Sequence, residues 1–158
     1  ATGQVWSGLA FAVARAAPYA LLLLLWGDLH FYLTHRALHT RFLYRRVHKA
    51  HHESHDVNPW SSLSMHPIEG TTFFSFYLIT FVVPLPVEVF AAFKLGAILG
   101  PLFGHCGFAV DDFIWPASGA YFHYLHHAKV GHLGEGCNFG ATGIWDVILG
   151  TFYWGFAE

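Results

Sequence analysis

An all-α bundle of membrane-spanning helices beneath a polar helical cap is the fold class this sequence predicts, and three observations predict it. The first is composition. Of 158 residues, 54% are hydrophobic and 18% aromatic, only 11% are charged, and the mean hydropathy is +0.41. Soluble domains carry roughly 25% charged residues, so a chain this apolar cannot cover itself with water-compatible groups. The second is a pair of long apolar blocks, residues 9–33 and 71–104. They are on the scale of the roughly 20 residues that cross a hydrocarbon core of about 30 Å. The third is histidine: thirteen of them against eight Lys plus Arg, most gathered at helical spacing. A net charge of −2 with histidines neutral argues against the usual basic nucleic-acid binder. Two cysteines, Cys106 and Cys137, are too few for a disulfide framework or a Cys-rich zinc site.

In chain order, the first block is interrupted chiefly by Arg15, Pro18, Asp28 and His30. Between Trp26 and His39 only Gly27 weakens a helix, so the span is expected to run on past the bilayer and carry His35 and His39 to its surface. Arg36, Arg41, Arg45, Arg46 and Lys49 follow at once. Basic residues clustered beside a span mark the cytoplasmic side, so the cap is expected there. The helix holding His48, His51 and His52 is expected to end near Asp56, because Asn58-Pro59 is a stop signal. The stretch PWSSLSMHPIEG is expected to be extended and to lead back to the membrane. Pro84 and Pro86 should break the second block into a hairpin of two helices, which returns His105 to the side of His66 and the other histidines. A helix around residues 121–128 carries His123, His126 and His127. The glycine-rich GHLGEGCNFGATG reads as a loop, and the tail places Trp145, Tyr153 and Trp154 at a membrane–water interface. Residues 1–158 are expected to form one domain. The chain opens on Ala1 and its only methionine is Met65, so further helices are expected upstream.

On an α-helix, positions i, i+3 and i+4 share a face. The pair His35/His39 and the two H-x-x-H-H triplets (His48, His51, His52; His123, His126, His127) therefore make three sets of imidazoles. One histidine in an apolar protein is ordinarily a packed core residue. Eight in three such sets are not, since unpaired polar groups near a bilayer are costly. Eight imidazoles exceed what one metal takes, so two metals sharing the sets is the economical reading. Imidazole without thiolate suits Fe, Zn or Cu about equally. A structural zinc site closes with four ligands, whereas an excess of histidines suits redox iron and dioxygen.

The motifs HRALH, HKAHH, HPIEG, GHCGF, FHYLHH and the late NFG…WD…GT, in this order over about residues 28–152, resemble the fatty acid hydroxylase/sterol desaturase superfamily, most closely its bacterial sterol-desaturase-like branch. The resemblance implies a membrane-bound non-haem di-iron oxygenase that hydroxylates or desaturates an unactivated C–H of a sterol, hopanoid or fatty acyl chain, using O₂ and two electrons. Carried over by motif, the metal ligands are His35, His39, His48, His51, His52, His66, His105, His123, His126 and His127. The cofactor implied is two Fe ions, with zinc able to take their place in purified protein. The implied partners are a lipid, the membrane and an electron donor such as a cytochrome b5-like protein or ferredoxin. The implied location is the bacterial inner membrane, or the endoplasmic reticulum in a eukaryote. Asp28, two turns before His35 on the same face, is expected to orient an imidazole N–H, and Glu69 to do the same for His66. Asn138 and Asp146 are expected to orient the third set. His30 faces away from His35 and is read as packing, His55 sits at a helix end, and His132 in the glycine loop is not a ligand. The link KVGHLGEGC after Ala128 is longer than is usual in the family. A carotenoid hydroxylase shares similar histidine motifs. From another class, a metal-handling membrane protein (a zinc transporter or store) would put carboxylates among its ligands at the bilayer midplane, which this pattern does not.

Overall fold

The computed structural model describes residues 2–107, 119–131 and 134–155, and every regular element among them is helical. Helix α1 runs Thr2–Leu38, 37 residues, or roughly 55 Å at 1.5 Å per residue. Helix α5 runs Val87–Gly104. The segments Ala10–Leu38 and Val87–Gly104 are long and apolar enough to cross a membrane, and only 6% of the most apolar window of each is buried. Phe11, Leu24, Leu95 and Phe103 stand 72%, 67%, 57% and 68% exposed. Contiguous apolar surface of this extent suits hydrocarbon, not water.

Between these two helices the chain builds the cap and half of the hairpin. After α1 the backbone turns extended at Thr40 and re-enters a helix as α2, Arg41–Leu43. A π-helical stretch, Tyr44–His48, follows, and then α3, Lys49–His52. The Lys49 N–H bonds the Tyr44 carbonyl five residues back, the mark of a π turn, a feature concentrated at functional sites. This helical stretch stops at His52, short of the expected Asp56. Ser54 and Asp56 favour local side-chain-to-backbone bonds over helix.

The next stretch corrects the expectation of extended chain. Asn58 caps a 3₁₀ turn, Pro59–Ser61, with a reciprocal capping box. Helix α4, Pro67–Phe74, begins with Pro at its first position and His66 as its cap, the placement a proline favours. At Ser75–Phe81 it tightens into 3₁₀. The hydroxyls of Thr71, Thr72 and Ser75 bond carbonyls three or four residues back, which satisfies them in an apolar setting and bends the helix. Pro84 and Pro86 lie in the irregular link before α5, so the hairpin breaks where the prolines predict.

Helix α6, Gly119–Lys129, and α7, Ile144–Leu149, complete the cap. Its interior is unusual. Among the most deeply buried side chains, Tyr32 and Leu23 keep company with His48, His126, His127, Asn138, Asp146 and Ser62. Beside Tyr44, Val47, Phe122 and Phe139, the core of the cap carries many polar groups, and each needs a partner.

Candidate metal centre

Nine of the expected histidines converge, in two adjoining groups. His35, His39, His48, His52 and His126 form one; His51, His105, His123 and His127 form the other, and in each the ring nitrogens lie within 4.8 Å of one another. The triplets do not act as units. His48 and His52, at i and i+4, join the first group while His51 joins the second; His123 and His127 join the second while His126 joins the first. His66 lies outside both groups, because its ring caps α4: Nδ1 accepts the Ile68 N–H at 3.2 Å. His30 bonds Ser75 Oγ at 2.9 Å within α1's packing, His55 is exposed, and His132 lies outside the described residues.

Backbone carbonyls fix which nitrogen five of the nine rings present. The His35 Nδ1–H donates to the Phe139 carbonyl at 2.8 Å, His39 to that of Gly134 at 2.7 Å and His126 to that of Cys137 at 2.6 Å. In the second group, His51 donates to Ser64 O and His105 to Pro101 O, at 3.2 and 3.0 Å. A carbonyl oxygen only accepts, so in each neutral ring Nε2 carries a bare lone pair. Two of these lone pairs face one another, His39 to His126 at 3.1 Å, and the Nε2 atoms of His35 and His52 lie 3.1 and 3.0 Å from that of His48. Opposed acceptors this close repel unless a cation lies between them. At a metal–nitrogen distance of about 2.1 Å, adjacent octahedral positions are roughly 3.0 Å apart, so the donor set fits a first-row divalent ion.

Electrostatics prepares the rings for the same purpose. Burial, reinforced by the neighbouring imidazoles, holds His48, His52, His123 and His126 well below the usual histidine range. Burial brings His39 and His51 down to about 4. All are neutral at pH 7, the ligating form. Glu69, 4% exposed, takes the His48 Nδ1–H on Oε1 at 2.7 Å. Its other oxygen, Oε2, has no partner, and burial pushes the carboxyl up to about 8. Glu69 thus meets the imidazole of His48 and not that of His66, the partner expected from sequence, because the His66 ring is turned to cap α4.

The other expected orienting residues act one step further out. Asp28 does not touch a histidine. Its carboxylate takes the amides of Ala141 and Thr142 at 3.0 and 3.1 Å and the Thr142 hydroxyl. Asp146, fully buried, takes the amides of Phe139 and Gly140 and the Thr151 hydroxyl, each at 2.7 Å. Asn138, at φ 54°, bonds the Tyr153 backbone through both ends of its amide. Together they pin the loop whose carbonyls orient His35 and His126. Sequence reading missed the carbonyls of Gly134, Cys137 and Phe139, which have no side-chain signature. The structure explains why glycine stands at 134: at φ +89°, a Cβ there would sit 2.7 Å from Tyr44 and 2.9 Å from the His39 carbonyl oxygen.

Asp146→Ala should therefore unfold early. It strands three donors that share one buried carboxylate, a loss of about 3 kcal/mol or more. We expect a thermal midpoint in detergent lower by roughly 10 °C; an unchanged midpoint would show that the loop is held otherwise.

A cavity of ≈ 910 Å³ opens from the histidines. His35, His48, His51, His105 and His123 form its inner end; Gly27, Phe73, Phe76, Ala92 and Gly96 line its length; Ala16 and Glu88 mark the far end. From Glu88 to His105 along α5 is roughly 25 Å. The Arg15–Glu88 ion pair joins α1 to α5 at that far end.

Residues 20–151 match the sequence model of the fatty acid hydroxylase family. The chain is similar to human lathosterol oxidase, 30% identical over 132 residues, which cover 82% of this chain and 43% of that protein. It is similar to a putative Delta(7)-sterol-C5(6)-desaturase of Arabidopsis thaliana, 27% identical over 145 residues, 89% of this chain and 50% of that one. It also matches a Delta(7)-sterol 5(6)-desaturase of Gibberella zeae, 31% identical over 110 residues, 68% of this chain and 31% of that one. The chain thus spans half or less of these relatives' length. No solved structure matches it. A match over most of the chain, enclosing all nine converging histidines, decides the question of kinship: the chain belongs to the fatty acid hydroxylase/sterol desaturase family.

Proposed function

We propose that the chain, as one domain, forms the core of a membrane-bound non-haem di-iron oxygenase that hydroxylates or desaturates an unactivated C–H of a lipid. The observation that carries this reading is the meeting of clustered imidazole Nε2 atoms, 3.0–3.1 Å apart, with the inner end of a long apolar cavity. The two histidine groups would each hold one iron, and iron there supplies reductive activation of O₂ and hydrogen-atom removal from the C–H presented to it. Because the matched relatives carry sterol names, a sterol-class lipid is the substrate proposed first. The histidines stand at the basic ends of α1 and the cap, which by the positive-inside rule is the cytoplasmic side.

The protein's part is positioning. Phe73, Phe76 and the small residues of α1 and α5 line the cavity along its length and would hold an apolar molecule lengthwise. Carbonyls hold the Nδ1–H of His35, His39 and His126, and Glu69 meets that of His48, so that these four rings turn Nε2 inward. The overall reactions balance as R–H + O₂ + 2e⁻ + 2H⁺ giving R–OH + H₂O, or –CH₂–CH₂– + O₂ + 2e⁻ + 2H⁺ giving –CH=CH– + 2H₂O. The electrons come from a separate donor protein.

The test is metal content, Mössbauer spectra and O₂ uptake of protein from iron-supplemented cells, with lipid products identified by mass spectrometry. About two irons per chain, coupled, with lipid-dependent O₂ uptake, are expected. Stoichiometric zinc that iron cannot replace, with no O₂ uptake on reduction, would falsify the reading and favour metal handling.

Glu69→Ala leaves the buried His48 Nδ1–H without an acceptor, and such losses weaken metal binding by roughly 10- to 100-fold. Glu69→Gln keeps an acceptor oxygen and should lose less. Chelator competition measures both, and equal retention by all three proteins would deny Glu69 its orienting role.

A further inference from the structure

We infer that the outer face of residues 41–49 is the docking surface for an acidic, soluble one-electron carrier protein. The inference rests on the oxygenase reading, whose two electrons must enter from outside the lipid-filled cavity.

The segment has two sides. Inward go Tyr44, Val47, His48, His51 and His52, all buried. Outward go Arg41, Phe42, Arg45, Arg46 and Lys49, all exposed. Among the described residues, none of these four cations lies within ion-pair distance of a carboxylate, so half of the chain's eight Lys and Arg stand exposed on one face. Phe42 is 63% exposed, with the Arg46 guanidinium 4.2 Å above its ring centroid. A large apolar side chain ringed by arginine is the chemistry of an interface anchor. A protein seated there is separated from His48 and His52 by the thickness of one helix, about 10 Å.

Anionic lipid headgroups would also be drawn to four cations. They need charge alone, whereas the aromatic centre held under Arg46 and the rigid π-helical presentation give this face shape as well. The observations therefore favour a protein.

The test uses the full chain, iron-loaded, in nanodiscs of phosphatidylcholine and, separately, of phosphatidylcholine with phosphatidylserine. The probe is the soluble haem domain of an acidic b-type cytochrome, kept reduced by its reductase; dithionite serves as a small reductant that needs no docking. The variants are the triple charge reversal R41E/R45E/K49E and, separately, Phe42→Ala. In both kinds of disc we expect the reversal to raise the carrier concentration for half-maximal turnover at least tenfold. Single turnover with dithionite and iron content should be unchanged. Wild-type carrier dependence should weaken as salt rises, while that of the reversal variant should not, and Phe42→Ala should raise the same concentration severalfold without altering its salt dependence. Carrier dependence equal to wild type in both variants overturns the proposal. An effect confined to the phosphatidylserine discs also overturns it and assigns the patch to lipid. If the wild type forms no product with dithionite, the oxygenase reading itself fails and this role with it.

Discussion

Alanine at His123 is expected to leave one metal ion per chain in place of two and to remove lipid turnover. Among the described residues the second group has four histidines, His51, His105, His123 and His127. Its His123 Nε2 is 3.2 Å from that of His105 and 3.2 Å from that of His127, so it touches two of the three others. Removing it leaves three imidazoles around one ion. The first group has five, and His39→Ala leaves four there. The two substitutions should therefore differ in kind. His123→Ala loses an ion and more than about 10³-fold in turnover, about 4 kcal/mol of barrier. His39→Ala keeps both ions, binds one more weakly, and loses less activity. Metal analysis after gel filtration and mass spectrometry of the lipid products decide it, with circular dichroism to confirm the fold. Two ions retained in His123→Ala would mean that the second group is not a metal site.

The histidines were legible because their signal is local: spacing puts them on faces, and a face in an apolar chain needs a reason. How the triplets divide was not legible. A helical face is wide enough to serve two centres, and which ring turns to which centre is set by α6 meeting the 44–52 segment, and by a π turn that spacing does not announce. His66 is instructive in the other direction. His-Pro at 66–67 carried a cap signal that can be read from sequence, and the cap is where its ring went. Asp28 was placed on the right face, yet its partners are Ala141 and Thr142, more than a hundred residues along the chain. No periodicity reports a contact of that kind. The carbonyls that orient the rings belong to a glycine-rich link that read simply as loop, because backbone acceptors are present in every residue and only the fold selects among them. The hairpin and the long first helix, by contrast, follow from prolines and apolar length alone.

Phenylalanine at Gly96 should separate the metal site from the lipid site. Gly96 lies in α5 on the cavity wall, and a Cβ built there meets nothing within 4 Å. A larger side chain thus enters open space without displacing the backbone, and replacing a helix-interior glycine costs no helix propensity. Gly96→Phe should keep two ions per chain and the wild-type thermal midpoint. It fills the passage between the far end and the histidines, so turnover of a sterol-sized lipid should fall about 100-fold or more, nearly 3 kcal/mol of barrier. Gly96→Ala, which adds one methyl in the same open space, should lose little. Gly27 offers a second site on the facing helix, where an added Cβ would touch the Phe93 ring at 3.5 Å, so its replacement should show the smaller version of the same effect together with some loss of stability. The measurement is product formation against lipid concentration, with metal content and melting followed on the same samples. Full turnover of a bulky lipid by Gly96→Phe would mean that the substrate reaches the histidines by another route, and the cavity between α1 and α5 would lose its assigned role while the metal site kept its own.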